Sequence, residues 1–590
     1  MPSSSNPRTP GKQPTTIPQV LRATAARYPD KLALRQPGKA GVQTWTWAQY
    51  LAAAEEIAAG LHALGLGRGD HIAICSETRA EFYLVDQGIL MNGSVAAALY
   101  PSYPPAELVR TIELSEAKAL VVEDPKTLAA LRGAPVQHFI LMTGEAEGAI
   151  SLAALRGHGR YTAEVSPEDN AILYLTSGAT GDPKRVLVTQ GALTANIHMG
   201  PHVIDLTPDD ITIAFLPSAH IAQRVVVELL PLLTGTPVSF AESLMKLPGE
   251  LKAVKPTVFL APPRVWERMY SSILTEVKKK PGLAQKAFHG AVRLGRTAAR
   301  RRREGKTVPL QVKLPLALAD RLIFATIRER LGGRLRTAIS GAAPLSADLA
   351  EFFEAIGMPL IEGYGLTEGG IAALNPVNAP RPGSIGKPLP GVEFRVSDEG
   401  ELQFRSPALS SGYHNDPEAT AQLIQDGWVH TGDIGTIDAE GYVYITGRKK
   451  ELIVSSNGKK VFPGRVETFF KFEPLISQLI VAGDRLPHLV ALFTIHPSVA
   501  ETISGAVDAG VPLHEAPQVI AEVQRIVTRI NKQLAPFEQI KRFRIVHREF
   551  SIEHGEVTAT MKVRRTQVME NFRSELDDLY QRSASGRGGE

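Results

Sequence analysis

The residues best suited to chemistry lie between positions 172 and 184, which read ILYLTSGATGDPK. An apolar run typical of a strand leads directly into a loop of Thr, Ser and Gly that ends in Lys184. Such a loop can place backbone N–H groups, hydroxyls and an ammonium around one anion, as polyphosphate sites do. The spacing of Gly178, Gly181 and Lys184, with Pro183 before the lysine, differs from the G-x-x-x-x-G-K-[ST] pattern of P-loop proteins. The segment therefore predicts a phosphate site that serves a different ATP chemistry.

Two later segments are rich in glycine or other small residues, and one of them also carries a tyrosine and a glutamate. Residues 361–370 read IEGYGLTEGG, so glycines flank Tyr364 and leave its ring accessible to a planar base. Glu368 follows Thr367, and a carboxylate beside a phosphate loop suits Mg²⁺, which favours one or two carboxylates plus phosphate oxygens. Residues 339–346 read ISGAAPLS, where small side chains allow a ligand close to the backbone. Alone, that last pattern is equally typical of a tight turn.

Three segments nearer the C-terminus carry charged candidates. Asp433 lies between glycines in WVHTGDIG and can accept hydrogen bonds from vicinal ribose hydroxyls. Arg448 opens GRKKELIVSSNGKKVFP, where it can address sugar or phosphate ahead of a lysine-rich hairpin. Lys562 lies in TATMKVRR, which in isolation is typical of a solvated surface. Lys562 is given a predicted role only because the other motifs occur in the same chain.

The elements that must position these residues alternate between helical and strand patterns. Helices are predicted over 18–28 and 51–64, and the short apolar runs HIAICS, SVAAALY and ALVVED are typical of buried parallel strands. ILYLTS, ITIAFLP and TVFLAPP continue this rhythm. The loops TSGATG, LPSAH and APPRVW follow those strands, so we expect them to gather at one edge.

The pattern changes towards the C-terminal end. From about residue 390 it consists of short strands and turns, and after Gly447 a smaller unit begins, with strands at QLIVAG and HLVALFTI. A helix is predicted over 517–534, with Ile520, Val523, Val527, Ile530 and Leu534 on its apolar face. The predicted fold class is α/β, with a large N-terminal domain of layered helices and sheets (17–447) joined by a hinge to a small α+β C-terminal domain (448–581). Residues 1–16 and 582–590 are predicted to be disordered tails.

Composition sets further bounds. A chain of 590 residues is too long for one core, and its net charge of +4 gives no argument for binding nucleic acid. The single cysteine, Cys75, is expected to be a buried strand residue, which suits a reducing, cytoplasmic compartment. No apolar stretch is long enough to span a bilayer. The run Arg300–Arg303 is typical of a solvated helix end, or else forms a peripheral patch for anionic lipid headgroups. Oligomeric state is not predicted.

Taken together, in this order and spacing, these motifs resemble the adenylate-forming superfamily of acyl-CoA synthetases, adenylation domains and luciferases. The similarity runs from about residue 17 to 580 and is greatest to long-chain fatty acyl-CoA synthetases. That closer resemblance depends on KPTVFLAPPRVWERM (255–269), on the stretch 319–346 and on the ending FSIEHGEVTATMKVRR. The segment LPSAHIAQR (216–224) is more similar to the bubblegum-type branch, because the main branch usually has an aromatic residue and a glutamate at Ala222 and Gln223.

The resemblance implies roles for the matching positions. It places the β- and γ-phosphates on Thr176, Ser177, Gly178, Thr180 and Lys184, and Mg²⁺ on Glu368 with Thr176 or Thr367 nearby. It places adenine against Tyr364 with Gly365 beside it, nucleotide and acyl carboxylate along Gly341, Ala342 and Ala343, and ribose on Asp433 and Arg448. Lys562 would bridge the attacking carboxylate and the α-phosphate, His220 would close over the carboxylate site, Lys450 would be the hinge, and Gly458 would approach the pantetheine of CoA.

Two positions depart from the family pattern. Ala179 replaces a usual Thr or Ser in the phosphate loop and so removes one hydroxyl donor. Losing a hydrogen bond to a charged group costs roughly 1.5–3 kcal/mol where nothing substitutes for it. Arg185 replaces a usual Gly and adds a cation near the phosphates. Both changes are expected to alter ATP affinity without removing a group that the chemistry needs.

The implied reaction is the ATP-dependent activation of a long-chain fatty acid through acyl-AMP to acyl-CoA, with Mg²⁺ as cofactor and CoA as acceptor. One alternative is a fatty acyl-AMP ligase that loads a carrier protein. Such enzymes usually carry an insertion near the end of the large domain, and none is evident between Asp433 and Lys450. The other alternative is a non-catalytic acyl-adenylate or nucleotide sensor, which predicts loss of Lys562 or Glu368, yet both are present.

Overall fold

The computed structural model describes residues 15–38, 41–176, 183–507, 510–558 and 562–584. The predicted phosphate-binding residues Ser177, Gly178 and Thr180, as well as Ala179, lie outside the described residues. Two predicted boundaries of the tails differ from the structure. Thr16 is buried as the residue that precedes the first helix, and the last helix extends to Ala584, into the predicted tail 582–590.

An eight-stranded sheet contains the strand that leads into the predicted phosphate loop. Its order is β19 (Gly412–Tyr413), β9 (Lys184–Thr189), β8 (Asn170–Thr176), β4 (Val95–Ala98), β3 (His71–Cys75), β5 (Ala119–Val122), β6 (His138–Leu141) and β7 (Ile150–Ser151). The strands from β8 to β7 run parallel, as the apolar runs predict, whereas β8, β9 and β19 pair antiparallel. Thr176 and Lys184 are cross-strand partners at the ends of β8 and β9.

Helices accompany this sheet along the chain. They are α1 (Ile17–Arg27), α2 (Trp47–Ala63), α3 (Ala80–Met91), α4 (Pro105–Leu114), α5 (Pro125–Leu131), α6 (Leu152–Leu155) and α7 (Gln190–Met199), with 3₁₀ turns at Arg156–His158 and Gly200–His202. The two helices predicted from periodicity are therefore confirmed as α1 and α2. The start of α2 is earlier than predicted because Thr46 and Gln49 form a reciprocal capping box before Trp47.

Two further sheets belong to the described residues that precede Lys449, which we call the large part. The four-stranded sheet has the order β10 (Thr212–Ala214), β11 (Val238–Phe240), β1 (Leu32–Gly38) and β2 (Gly41–Thr46). The five-stranded sheet has the order β12 (Val258–Ala261), β13 (Thr337–Ser340), β14 (Leu360–Leu366), β15 (Gly370–Leu374) and β16 (Lys387–Pro388). The predicted strands at ILYLTS, ITIAFLP and TVFLAPP thus belong to three different sheets.

The helices of this region include two π-helical turns. They are α8 (Ile221–Gln223), a π turn (Arg224–Leu229), α9 (Leu230–Thr234), α10 (Leu247–Val254), α11 (Pro263–Lys278), α12 (Gly282–Arg303), α13 (Leu310–Ala319), a π turn (Asp320–Phe324), α14 (Ala325–Glu329) and α15 (Ala347–Ala355). The segment APPRVW, predicted as a loop, is mostly the first turn of α11, since proline is well tolerated at a helix start.

A twisted antiparallel sheet precedes the small C-terminal part. It joins β17 (Glu393–Val396), β18 (Glu401–Arg405), β21 (Trp428–Ile437) and β20 (Ile424–Gln425), with β22 (Val443–Arg448) paired to the C-terminal half of β21 and α16 (Pro417–Leu423) nearby. The register of β21 and β22 pairs Asp433 with Arg448. Two residues predicted to bind ribose are therefore cross-strand neighbours.

The small part begins with a 3₁₀ turn at Lys449–Glu451. It contains β23 (Ile453–Val454), β24 (Lys460–Val461), α17 (Pro463–Phe470), β25 (Ile476–Ala482), β26 (Leu489–Ile495), α18 (Pro497–Ala500), α19 (Pro517–Asn531), β27 (Ile540–Ile545), α20 (Arg565–Asn571) and α21 (Arg573–Ala584). Its apolar side chains form clusters of their own. The predicted apolar face of α19 is wrong at Ile520, which is exposed, while Val519 and Ile526 are buried.

No helix among the described residues is long and apolar enough to cross a membrane.

Candidate active site

A cleft of about 1720 Å³ lies between the large part and the small part. Its lining includes residues from every segment that the sequence singled out: Thr176, Lys184, His220, Gly341, Ala342, Ala343, Tyr364, Gly365, Thr367, Glu368, Asp433, Arg448, Lys450 and Lys562. The strands β8, β10 and β12 belong to different sheets, yet the segments after them, including His220 and Pro263, reach the same cleft. The prediction of one shared sheet edge is therefore wrong, because three sheets supply the strands, although Thr176 and the described residues after β10 and β12 line one cleft.

One end of the cleft holds a chain of polar contacts around Tyr413. The Lys184 ammonium donates to Tyr413 Oη at 3.1 Å and lies 4.3 Å from the centre of its ring. Tyr413 Oη in turn donates to Glu368 Oε1 at 2.8 Å. Burial and the Glu368 carboxylate raise the pKa of Tyr413, so its hydroxyl remains protonated. Tyr413 therefore connects the predicted phosphate cation to the predicted Mg²⁺ ligand.

Sequence reasoning missed Tyr413. The residue belongs to a two-residue strand, β19, whose antiparallel pairing with β9 brings it to Lys184 across 229 positions of the chain. No local pattern around Tyr413 indicates that pairing.

A second polar group surrounds Asp433, which is almost completely buried. Tyr364 Oη donates to Asp433 Oδ2 at 2.6 Å, and Arg448 Nε lies 3.0 Å from Asp433 Oδ1. Burial and the adjacent Asp433 carboxylate raise the pKa of Tyr364 well above its ordinary value. The glycines beside Tyr364 are also required by packing, because a Cβ on Gly365 would lie 2.5 Å from the carbonyl oxygen of Gly370.

The small-residue segment after β13 forms a tight wall of the cleft. Ala342 has a φ of +68°, and a Cβ on Gly341 would lie 3.3 Å from the carbonyl oxygen of Gly363. The next strand contributes Glu362, whose Oε1 accepts from the Leu345 N–H at 3.0 Å. Burial raises the pKa of Glu362 to about 8, so this carboxyl group is mostly neutral at pH 7. No sequence pattern indicated Glu362 beyond its place in IEGYG.

Lys562 and His220 face the cleft from opposite parts of the molecule. Solvent reaches Lys562 through the cleft, but the protein atoms around it and the Arg448 guanidinium lower its pKa to about 8. Burial, reinforced by the Lys562 ammonium, lowers the pKa of His220 to about 3, so its ring is neutral. His220 Nδ1 accepts from the Ala222 N–H at 3.2 Å, which assigns the ring proton to Nε2.

The small part is held against the large part by a set of contacts at the cleft margin. The rings of Tyr270 and Phe472 lie 4.4 Å apart, and Arg264 donates to Ser477 Oγ at 3.2 Å. Lys450 lies in the 3₁₀ turn immediately after β22. Gly458, with a φ of +77°, lies in the β23–β24 hairpin and does not line the cleft. The structure therefore gathers Lys562 with the residues predicted to bind the nucleotide and leaves Gly458 outside the cleft.

A group of apolar side chains, which we call the apolar arm, also lines the cleft. Its side chains include Val226, Leu230, Leu260 and Ile339, and a second cavity of about 10 Å³ shares Val226, Leu260 and Ile339 with it. One elongated molecule can therefore place a charged head among the polar groups and a hydrocarbon chain in the arm.

The residues present suit a magnesium ion whose ligands are mainly phosphate oxygens. Among the described residues, no group of three or more His, Cys, Asp or Glu side chains can hold a metal. Glu368 keeps Oε2 free of hydrogen bonds from the described residues, and the hydroxyls of Thr176 and Thr367 line the same cleft. One carboxylate with hydroxyl and phosphate oxygens is the donor set that Mg²⁺ commonly takes.

Comparison with protein families matches nearly the whole chain. Residues 21–414 match the AMP-binding enzyme family, and residues 450–584 match the C-terminal domain of AMP-binding enzymes.

Curated relatives are similar over almost their full length. The long-chain-fatty-acid–CoA ligase FadD15 of Mycobacterium tuberculosis is 34% identical over 562 residues, which cover 91% of this chain and 92% of the relative. The peroxisomal long chain acyl-CoA synthetase 6 of Arabidopsis thaliana is 29% identical, covering 93% of this chain and 83% of the relative. The long-chain-fatty-acid–CoA ligase ACSBG2 of Rattus norvegicus is 27% identical, covering 96% and 93%.

Solved structures share the fold. The adenylation domain of a carboxylate reductase from Mycobacterium chelonae superposes with a TM-score of 0.78 at 21% identity, covering 97% of this chain and 92% of that one. The anthranilate CoA ligase AuaEII, in complex with anthranoyl-AMP, gives a TM-score of 0.73 at 21% identity, covering 95% and 98%.

Proposed function

Because the chain belongs to the AMP-binding enzyme family, we propose that it is a long-chain-fatty-acid–CoA ligase. It activates a fatty acid with ATP to acyl-AMP and pyrophosphate, and then transfers the acyl group to CoA with release of AMP. The observation that carries this proposal is a single cleft lined both by Lys184, Glu368, Asp433 and Lys562 and by the apolar arm. The 34% identity to FadD15 over 91% of the chain supports the same substrate class.

The first half-reaction depends on positioning and on charge neutralisation. A carboxylate oxygen of the fatty acid forms a bond to the α-phosphorus of ATP, while the bond to the bridging oxygen breaks and pyrophosphate leaves. Lys184 would hold the β- and γ-phosphates, and Lys562 would bridge the attacking carboxylate and the α-phosphate. Two ammonium groups offset the negative charge that otherwise keeps carboxylate and triphosphate apart. His220, neutral and half-buried, would close the carboxylate site without adding charge.

The nucleotide would be held by the group around Asp433. A carboxylate offers about four lone-pair positions, so Asp433 can accept from the ribose hydroxyls while keeping Tyr364 and Arg448 as partners. Adenine would lie on the Tyr364 face, with Gly365 beside it and Gly341, Ala342 and Ala343 along the nucleotide and the acyl carboxylate. Mg²⁺, held by Glu368 with the hydroxyl of Thr176 or Thr367, would supply charge neutralisation at the phosphates. Ser177, Gly178 and Thr180 remain proposed phosphate donors.

The second half-reaction requires a different arrangement of the small part. A rotation about Lys450 would break the Tyr270–Phe472 and Arg264–Ser477 contacts and withdraw Lys562 from the cleft. It would bring the hairpin that contains Gly458 towards the site, where this glycine would pass the pantetheine arm of CoA. The CoA sulfur then forms a bond to the acyl carbonyl carbon, and AMP leaves with the oxygen that linked it. Such a rotation would switch the site from acyl-AMP formation to acyl transfer onto CoA.

We also propose that the enzyme acts in the cytoplasm, in peripheral contact with membranes. Cys75, the single cysteine, is buried, and burial raises the pKa of its thiol to about 12. An inert thiol without a disulfide partner suits a reducing compartment.

The function is tested by the products formed from ATP, Mg²⁺ and palmitate, identified by mass spectrometry with and without CoA. The expected products are palmitoyl-CoA and AMP when CoA is present. Palmitoyl-AMP that persists despite CoA would favour a ligase that loads a carrier protein. No AMP with any acid, short or long, would contradict an enzymatic role and favour a sensor.

A further inference from the structure

One surface of the large part combines an unusual charge with exposed apolar side chains. We call it the basic hairpin: α12, the connection 304–309, α13 and the π turn Asp320–Phe324. Residues 282–319 contain nine basic residues and one acidic residue, Glu304, which gives a net charge of +8. The whole chain carries only +4. The rest of the molecule therefore carries a net charge of −4, which offsets only half of the positive charge of the hairpin.

Four leucines form a stripe along the exposed side of this hairpin, which we call the leucine stripe. Leu310, Leu314, Leu318 and Leu322 have exposed fractions of 69%, 67%, 61% and 65%. Exposed single leucines are common, but contiguous apolar patches on soluble proteins usually mark a contact surface. These four recur every fourth residue along α13 and the π turn that follows it, so they form one patch.

The leucine stripe is a second apolar face, separate from the one that the core uses. Leu316, Ala319 and Ile323 pack against the core of the large part, and their positions alternate with the stripe. In an α-helix, steps of four residues drift slowly around the axis because a turn takes 3.6 residues. The wider π turn at Asp320–Phe324 counteracts that drift and keeps Leu322 near the line of the other leucines.

The basic residues of the hairpin fall into two groups. Arg303 pairs with Glu351 and Glu354, and Arg301 donates to the carbonyl oxygen of Thr307 at 2.8 Å. The run Arg300–Arg303 is therefore not one patch, because these two side chains serve the fold.

The second group is available to a partner. Arg300, Arg302, Lys313 and Arg321 are exposed and form no ion pair with any described residue. Lys313 lies three residues after Leu310, and Arg321 three residues after Leu318, so both border the leucine stripe on the same side of the helix.

We propose that the basic hairpin docks the protein on the surface of an anionic lipid bilayer. The leucine stripe enters the boundary between headgroups and acyl chains, and Arg300, Arg302, Lys313 and Arg321 contact lipid phosphates. A helix with exposed leucines and adjacent basic residues is the composition that binds in the membrane interface. A second copy of this chain is a poor occupant, because two hairpins of charge +8 repel each other. The inference does not depend on the reaction proposed above.

The test is co-sedimentation of the full-length protein with vesicles, without ATP or fatty acid. Vesicles of phosphatidylcholine mixed with phosphatidylglycerol should bind the protein, and vesicles of phosphatidylcholine alone should bind it at least tenfold more weakly. Added salt should weaken binding to the mixed vesicles, since salt screens the headgroup charge. Equal binding to both vesicle types, or to neither, would overturn the proposal.

Two double variants separate the apolar and the charged contributions. Arg300→Gln with Arg302→Gln should weaken binding to mixed vesicles about 30-fold, since a basic residue near an anionic surface contributes roughly 1 kcal/mol. Leu314→Ser with Leu318→Ser should weaken binding by a factor of ten or more.

Matched controls replace exposed residues elsewhere. Val42→Ser with Met245→Ser, and Lys126→Gln with Lys532→Gln, should bind like the unchanged protein. If the controls lose as much binding as the hairpin variants, the proposal fails. It also fails if light scattering shows a dimer that the leucine variant abolishes while its vesicle binding is unchanged.

Discussion

At the scale of single residues, Lys562 holds a positive charge where its surroundings disfavour one. Its ammonium lies in the cleft with Arg448 nearby, and its pKa is lowered to about 8. A group with this pKa loses its proton as pH rises through 8, so the cation that we propose as the bridge is largely present below pH 7 and is progressively lost above pH 8. His220, whose pKa is lowered to about 3, stays neutral throughout this range and adds no inflection.

We predict that kcat/KM for pyrophosphate release without CoA falls above pH 8, approaching tenfold per pH unit, because this ratio reports groups of the free enzyme. The variant Lys562→Arg, in whatever activity it retains, should not show this fall because guanidinium stays protonated. Pyrophosphate release measured from pH 6 to 10 gives the profile. A profile of Lys562→Arg that falls at the same pH as that of the unchanged enzyme would contradict the assignment.

Tyr413 joins Lys184 to Glu368, and its hydroxyl group makes the hydrogen bonds to both residues. Tyr413→Phe keeps the ring and its contact with the ammonium but removes those bonds. Hydrogen bonds to charged groups contribute roughly 1.5–3 kcal/mol. We therefore expect kcat/KM for ATP in the first half-reaction to fall about 10- to 100-fold.

The matched control is Tyr442→Phe, which removes a buried hydroxyl bonded to the Ala379 carbonyl and does not line the cleft. Steady-state kinetics of both variants at varied ATP gives the comparison. If Tyr413→Phe behaves like Tyr442→Phe, the positioning role is wrong.

At the scale of elements, local sequence patterns predicted which helices and strands form better than they predicted which strands pair with each other. The apolar runs that became β3, β4 and β5, and the periodic stretches that became α1 and α2, are confirmed because their signals are local. The distribution of β8, β10 and β12 over three sheets was not predictable, since pairing joins residues far apart in the chain. The same reason explains why the site motifs were found while Tyr413, positioned by β19, was missed.

The π turn Arg224–Leu229 is an element that no sequence pattern indicated. It buries Arg224 completely in an ion pair with Asp86, and it places Glu228 in the same core, where burial raises the pKa of Glu228 to about 7. Gln223, at the start of this turn, donates to Tyr83 Oη at 3.1 Å.

Removing one partner of this buried pair should be costly. Arg224→Met leaves the Asp86 carboxylate uncompensated, and breaking a buried pair costs about 3–5 kcal/mol. The double variant Asp86→Leu with Arg224→Met should recover most of that loss, because neither charge remains. Urea unfolding followed by fluorescence measures both.

The control is Lys118→Met, which breaks the half-exposed pair with Asp70 and should cost at most about 1 kcal/mol. A loss of stability for Arg224→Met that is no larger than this control would mean that the buried pair does not stabilise the fold.

At the scale of the whole molecule, the cleft is complete only where the two parts meet. The large part supplies Lys184, Glu368 and Asp433, and the small part supplies Lys562. Sequence motifs located these residues, but their convergence depends on contacts such as Tyr270 with Phe472, which no motif encodes. Gly458, outside this cleft, is the residue whose proposed role requires the small part to move.

We propose that one cleft performs two half-reactions and that Lys562 serves only the first. The most direct measurement compares Lys562→Ala with the unchanged enzyme in both. Pyrophosphate release from ATP and palmitate measures the first, and palmitoyl-CoA formation from preformed palmitoyl-AMP and CoA measures the second. We predict that the first half-reaction is abolished while the second is largely retained. Equal loss of both half-reactions would contradict it.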